Sequence, residues 1–224
     1  MKSVLVVGGA GEVGEGIVRQ LLMRGHRVWV QSRDQSRIRS LDDRLALPNL
    51  IPAVGDISTE RDVRLLHVLV GEVDAVVASI GSWWSGPALV DLDLDTYNRV
   101  MEERLTTHFL VAKTFLKSLQ DRPGSSYTFI HGASGFVPIP NSGPVSIAGA
   151  GQVMLKDVFA KELVGKHVRI NLLSMMGSIG TRSHPQADPQ ALTADDVGNY
   201  VAYLVGSDTR GQTIKFTHRK EIPG

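Results

Sequence analysis

Three side chains in the middle of the chain have the chemistry to move a proton or hold an oxyanion: His131, Ser134 and Ser146. The segment 132–151, GASGFVPIPNSGPVSIAGAG, contains both serines but no Asp, Glu, Lys, Arg, His, Tyr or Cys. A serine hydroxyl can hold a substrate oxygen without ionising. Local bonding in a turn and at a helix start is the alternative reading for both serines. An unperturbed imidazole titrates near neutrality, and His131 would end a strand. It is either a proton donor or a partly buried histidine satisfied by backbone.

A second centre lies at the N-terminus. VVGGAGEVGEG carries glycines at 8, 9, 11, 14 and 16, directly after a short apolar strand and at the entry to a helix. Glycines there let backbone approach a diphosphate, and the helix start offers free N–H groups and a positive dipole end. Glu12 and Glu15 suit a helix start, but would weaken phosphate binding if they pointed at it. The next strand ends in QSRD. Arg33 can fork onto a 2′-phosphate and Ser32 can donate to it, favouring NADP(H) over NAD. Asp34 reads as the following N-cap. Asp56, in GDIS, either accepts from an adenine amino group or caps the helix starting near Thr59.

The elements that must position these groups alternate. Strands are expected at Val4–Val7, 26–32, 50–56, 73–79, 126–132, 167–174 and 213–217. Helices are expected from the glycine loop to about Arg24, and over 34–45, 59–70, 95–119, 145–164 and 194–205. The 95–119 helix is expected to be continuous, with Val100, Leu105, Phe109, Ala112 and Phe115 on its apolar face. This order argues for a doubly wound, Rossmann-type α/β fold: a mostly parallel seven-stranded sheet with helices on both faces. No linker or repeat divides the chain, so 1–224 reads as one domain. Trp83 and Trp84 follow the fourth strand; they suit a flat apolar ligand, or one is core and the other an oligomer contact. The stretch Thr181–Gln190 reads as a mobile flap over the cofactor.

The totals exclude much. A net charge of +1, from 24 basic and 23 acidic residues, offers no electrostatic case for nucleic acid or a membrane surface. With no cysteine there is no disulfide, thiol nucleophile or zinc–thiolate site. The seven histidines are scattered, so no metal is expected. No G-x-S-x-G elbow is present. The apolar runs are strand length and the start lacks a signal-peptide pattern, so a cytoplasmic protein is expected.

Over nearly its whole length the chain resembles the short-chain dehydrogenase/reductase family. VGGAGEVG stands at the phosphate loop, GDIS at the adenine-side Asp, ASIG (78–81) at the stretch supporting the central strand, and MMGSIGT before the flap. The resemblance implies nucleotide contacts from Gly8, Gly9, Gly11, Glu12, Val13, Gly14, Ser32, Arg33, Asp56, Ile57, Ser79, Ile80, Gly81 and Thr181. It also implies a homodimer or homotetramer, and a small-molecule substrate. The family's catalytic Tyr and Lys fall on Ser146 and Ala150, its Asn on Arg104, and its Ser near Gly132–Ala133, with Ser134 displaced. Arg104 reads as balancing a carboxylate, or as exposed or packing. A phenol activated by a cation is worth roughly 10²–10⁴-fold as an acid. Ser146 and Ala150 supply neither part, so standard carbonyl reduction should be slow. Three functions follow: reduction of an activated carbonyl, enone or imine, with Ser134, Ser146 or His131 assisting; NADP(H) binding without turnover; or a non-redox isomerase or cyclase using the same pocket.

Overall fold

The computed structural model describes residues 1–188 and 190–223. Its centre is a seven-stranded sheet of order β3-β2-β1-β4-β5-β6-β7, every neighbouring pair parallel. The strands are β1 Ser3–Val7, β2 Arg27–Ser32, β3 Leu50–Val54, β4 Ala75–Ala78, β5 Ser126–Gly132, β6 Arg169–Met175 and β7 Thr213–Phe216. The central strands are near-continuous apolar runs because both faces are covered. From β1 they alternate: Val4 and Val6 join one core, Leu5 and Val7 the other.

Helices α1 (Glu12–Met23), α2 (Gln35–Leu45) and α7 (Ala194–Gly206) cover the first face, burying Ile17, Leu21, Ile38, Leu41, Val197 and Val201. Helices α3 (Glu60–Val70), α5 (Thr107–Leu119) and α6 (Gly143–Glu162) cover the second, with Val63, Leu66, Val111 and Phe115 at its centre. Short α4 (Leu94–Met101) precedes α5.

The strand order reverses between β1 and β4, so the crevice for a ligand opens where the C-terminal ends of these two strands part. Gly8 sits at that point with φ +73°, and a methyl group there would stand 2.2 Å from the Ser79 carbonyl oxygen at the end of β4. Glycine is therefore required both by conformation and by space.

One expected element is broken. Instead of a continuous helix over 95–119, α4 and α5 are joined by a π-helical turn at Glu102–Thr106. The widened turn is held by the Thr107 amide and hydroxyl, both donating to the Glu102 carbonyl, the hydroxyl at 2.9 Å. The Arg104 carbonyl accepts from Gln152 Nε2 of α6 at 3.0 Å. Apolar spacing does not reveal such an insertion, because the pattern resumes beyond it.

Candidate functional site

Four helices carry side-chain caps: Asp34 for α2, Thr59 for α3, Asp93 for α4 and Thr193 for α7. Helix α1 starts on Gly11 with no side-chain cap. Its N-terminal amides are therefore left for a group in the crevice, although Glu12 and Glu15 place negative charge on the same turn. The loop is stiffened from within: the Gly9 amide donates to Val6 and that of Gly11 to Gly8. A methyl on Gly14 would lie 2.4 Å from the Gly8 carbonyl oxygen, so the cradle closes on itself only with glycine. Val13 turns its side chain to the core and can offer a ligand only backbone.

Neither glutamate occupies the cradle. Glu15 is 7 % exposed and its carboxylate is bonded by Arg19 and Arg44 at 2.8 Å each, with Arg182 3.6 Å away. Glu12 reaches outward to the flap. Hydrogen bonds from Ser183 and Thr181, aided by the Arg182 charge, hold its carboxyl below the usual range. Thr181 accepts from the His184 amide at 3.2 Å. The flap is pinned at its base by a parallel bridge between Gly180 and Thr193. Of the stretch expected to be a flap, Pro189 lies outside the described residues.

At the far end of β2, Arg33 is exposed and near enough to Asp56 to help hold that carboxyl low. Ser32 is almost buried, and its hydroxyl accepts from the Asp34 amide at 3.1 Å. Asp56 caps no helix; it accepts from the amides of Ile57 and Ser58 at 2.7 and 3.1 Å, and Thr59 is the cap. Two residues were missed by sequence. Gln31, buried, accepts from the Gly8 amide at 2.9 Å and donates to the Gly55 carbonyl at 2.7 Å, joining three strand ends. Arg37, one turn into α2, donates to the Ala10 carbonyl at 3.1 Å, which sets a second cation beside the phosphate loop. Its spacing of four from Arg33 was the available signal.

Past β4, Ser79 donates its amide to Val7, and Ile57 and Ile80 pack on the second core. Gly81 is exposed with φ +106°. Trp83 is 63 % exposed and Trp84 half-buried over Gly86, so neither is core.

His131 is 8 % exposed, in a slot between Gly135 and Gly149; a methyl on either would come within 2.3 and 2.7 Å of Nε2. Among the described residues its Nε2 has no hydrogen-bond partner, contrary to the backbone-satisfied reading. Burial, reinforced by the Arg104 charge, pushes its pKa down to about 4. It is therefore neutral at pH 7 and a poor general acid. Nearby His108, wholly buried on α5, donates Nε2–H to the Ile80 carbonyl at 3.3 Å, and burial also brings it to about 4.

Ser134 is buried in a 3₁₀ turn, Ala133–Gly135, that packs on α6. Ser146 is half-buried and its oxygen accepts from the Ile139 amide at 3.2 Å, leaving its own O–H free to donate. Ala150, one turn on, is exposed. Tyr127, Tyr200 and Tyr203 belong to the two cores. Burial drives the Tyr127 phenol far above its usual pKa. Arg104 is half-buried, and its Nη2 is buried without a partner among the described residues.

Comparison with known proteins agrees with the sheet order. A family model described as short chain dehydrogenase matches residues 2–190. The chain is similar to the rhamnolipids biosynthesis 3-oxoacyl-(acyl-carrier-protein) reductase of Pseudomonas aeruginosa: 29% identical over 208 residues, covering 85% of this chain and 78% of that one. The solved RhlG/NADP active-site complex from the same organism superposes with a TM-score of 0.83 at 24% identity, covering 96% and 94% of the two chains. A short chain oxidoreductase from Pseudomonas aeruginosa containing an atypical catalytic center superposes with a TM-score of 0.84 at 19% identity, covering 96% and 95%.

Proposed function

Because the chain belongs to the short-chain dehydrogenase family, we propose that it is an NADP(H)-dependent oxidoreductase acting on an activated carbonyl, enone or imine. The observation that carries this reading is the open N-terminus of α1 at the reversal of the sheet, with arginines just beyond it. Gly8–Gly14 would take the diphosphate on backbone N–H groups, and Gln31 would keep the loop in register. Arg33 and Arg37 would take the 2′-phosphate, with Ser32 beside them; an NADP complex of a similar protein is in keeping with this choice. When bound, the reduced cofactor supplies hydride.

What the chain supplies to the substrate is modest. Ser146 can donate one hydrogen bond to the accepting oxygen or nitrogen. It cannot hand over its proton readily, since the lysine position is Ala150 and brings no charge. Ser134 shapes the wall behind it. His131 is neutral in its glycine slot and serves packing. The final proton comes from solvent or from the substrate, which is why the acceptor should be electronically activated.

The test is titration of the protein with NADPH and NADH, followed through nucleotide fluorescence, then NADPH consumption over a panel of carbonyls, enones and imines. NADPH should bind at least about tenfold more tightly than NADH, one lost charge-assisted phosphate contact being worth ~1.5–3 kcal/mol. The double variant Arg33→Gln/Arg37→Gln should erase the difference. Equal affinities in the unmodified protein would remove the NADP(H) assignment. Binding without consumption of NADPH by any acceptor would favour a cofactor-binding protein without turnover.

A further inference from the structure

Arg104 is charged, half-buried and unpaired among the described residues. It projects from the π-turn between α4 and α5, whose backbone is fastened to α6 by the Gln152 bond to the Arg104 carbonyl, two residues beyond Ala150. The side chain runs toward the end of β4, where a methyl built on Gly81 would stand 3.3 Å from Nη1. Among the described residues, no hydrogen bond or ion pair engages the guanidinium, and Nη2 is buried with no partner. The two carboxylates on the same turn, Glu102 and Glu103, are both exposed and neither bonds Arg104; Glu103 pairs with Arg99 at 3.5 Å. The other ionisable groups close by, His108 and His131, are uncharged and cannot compensate it.

A guanidinium removed from water without an acceptor is costly, and the cost is recovered only if an anion arrives. The cofactor is the wrong source. Its diphosphate would be held by Gly8–Gly14 and its third phosphate by Arg33 and Arg37 beyond β2, away from α4–α6. The nicotinamide ring would bring no negative charge, being neutral when reduced and positive when oxidised. The remaining source of negative charge is the substrate. A planar fork that donates two parallel N–H groups matches a carboxylate in particular.

We propose that Arg104 receives a carboxylate of the substrate, so that this site selects small organic acids that carry the reducible group on an apolar body. This rests on the oxidoreductase reading, and it names the substrate class. The exposed Trp83 and the exposed Leu89, which stands directly over Gly143, offer an apolar wall near the entrance. Arg104 acts here as a binding and orienting group. Its charge also disfavours uncharged or cationic analogues, since binding one would trap the guanidinium unpaired.

The test uses matched pairs: a set of small carboxylic acids, 2-oxo acids among them, each with its primary amide. Binding to ¹⁵N-labelled protein is followed at the Arg104 Nε–H resonance, identified by its disappearance in Arg104→Gln, with and without saturating NADPH. Acids should shift that resonance at concentrations at least about tenfold below their amides. Arg104→Gln should abolish the preference for acids while leaving NADPH affinity within about twofold, and Arg104→Lys should restore part of the preference. Two results would overturn the proposal: acids and amides binding alike in the unmodified protein, or Arg104→Gln weakening NADPH strongly while the acid preference persists. If the protein binds acids selectively but takes up neither nicotinamide nucleotide, the oxidoreductase reading fails and the carboxylate site stands.

Discussion

His108 and His131 lie beside an arginine in a region that water barely reaches, and both stay neutral in the folded chain down to about pH 4. In the unfolded chain each takes up a proton near 6.5. Between those values the unfolded state binds more protons, so stability falls as pH drops from about 6.5 toward 4 and is unaffected by these groups above 7. Each imidazole contributes at most about 3 kcal/mol to that loss. Urea unfolding between pH 7 and 4.5 should show the decline, and His131→Leu should remove about half of it. An unchanged slope in the variant would mean that His131 is protonated in the native state. At this scale the sequence was partly legible. The glycine turn after β1 and the positions of Ser32 and Arg33 at the end of β2 could be placed from the apolar runs before them, whereas Ser146 and Ala150 could be singled out only through the family resemblance. Of the ion pairs of Glu15, only that with Arg19, at i,i+4 on α1, has a spacing that sequence can show; those with Arg44 and Arg182 were not legible, because these arginines come from separate segments. The same holds for the burial of Arg104, which depends on where α6 crosses the π-turn.

At the scale of elements, helix ends and strands were readable from apolar runs and caps, and most boundaries fall within two residues of expectation. The π-turn was hidden, and so was the reason for several glycines inside helices. Gly16 of α1 and Gly198 of α7 mark where two helix backbones nearly touch. A methyl on Gly198 would lie 2.3 Å from the Gly16 carbonyl oxygen, and one on Gly16 would lie 2.2 Å from the Ala194 carbonyl. Gly206, the last residue of the same α7, has nothing within 4 Å of such a methyl. Chemically identical substitutions should therefore have opposite signs. Gly198→Ala should cost ~2 kcal/mol or more through forced separation of the helices. Gly206→Ala should gain about 0.5–1 kcal/mol from the entropy of the unfolded chain. Thermal unfolding of the two variants checks this; Gly198→Ala should melt several degrees lower and Gly206→Ala slightly higher. A Gly198→Ala variant as stable as the parent would show that α1 and α7 are not tightly apposed.

For the molecule as a whole, the outer surface of α5 and α6 carries an apolar strip: Phe109, Ile147, Met154 and Val158 are all between 40 and 62 % exposed. Phe109 stacks on Phe159 with ring centroids 6.5 Å apart, which presents a flat aromatic surface. We propose that two copies pair through this strip, since an apolar patch on a helix face is the usual signature of association. Sedimentation should give a dimer or tetramer, and Met154→Asp/Val158→Asp should yield a folded monomer. A monomeric parent protein would leave the strip without that role. Among the described residues, no helix is long and apolar enough to cross a membrane. The contact between Gly16 and Gly198 also sets an order on biosynthesis. Helix α1 can rest on β1 and β2 early, but its other flank stays uncovered until α7, far along the chain, has been made. A nascent chain lacking α7 would expose the apolar flank of α1, with its loop held only by its own amides and by Gln31 and Arg37. The glycine cradle thus gains its full backing only once α7 has docked on α1.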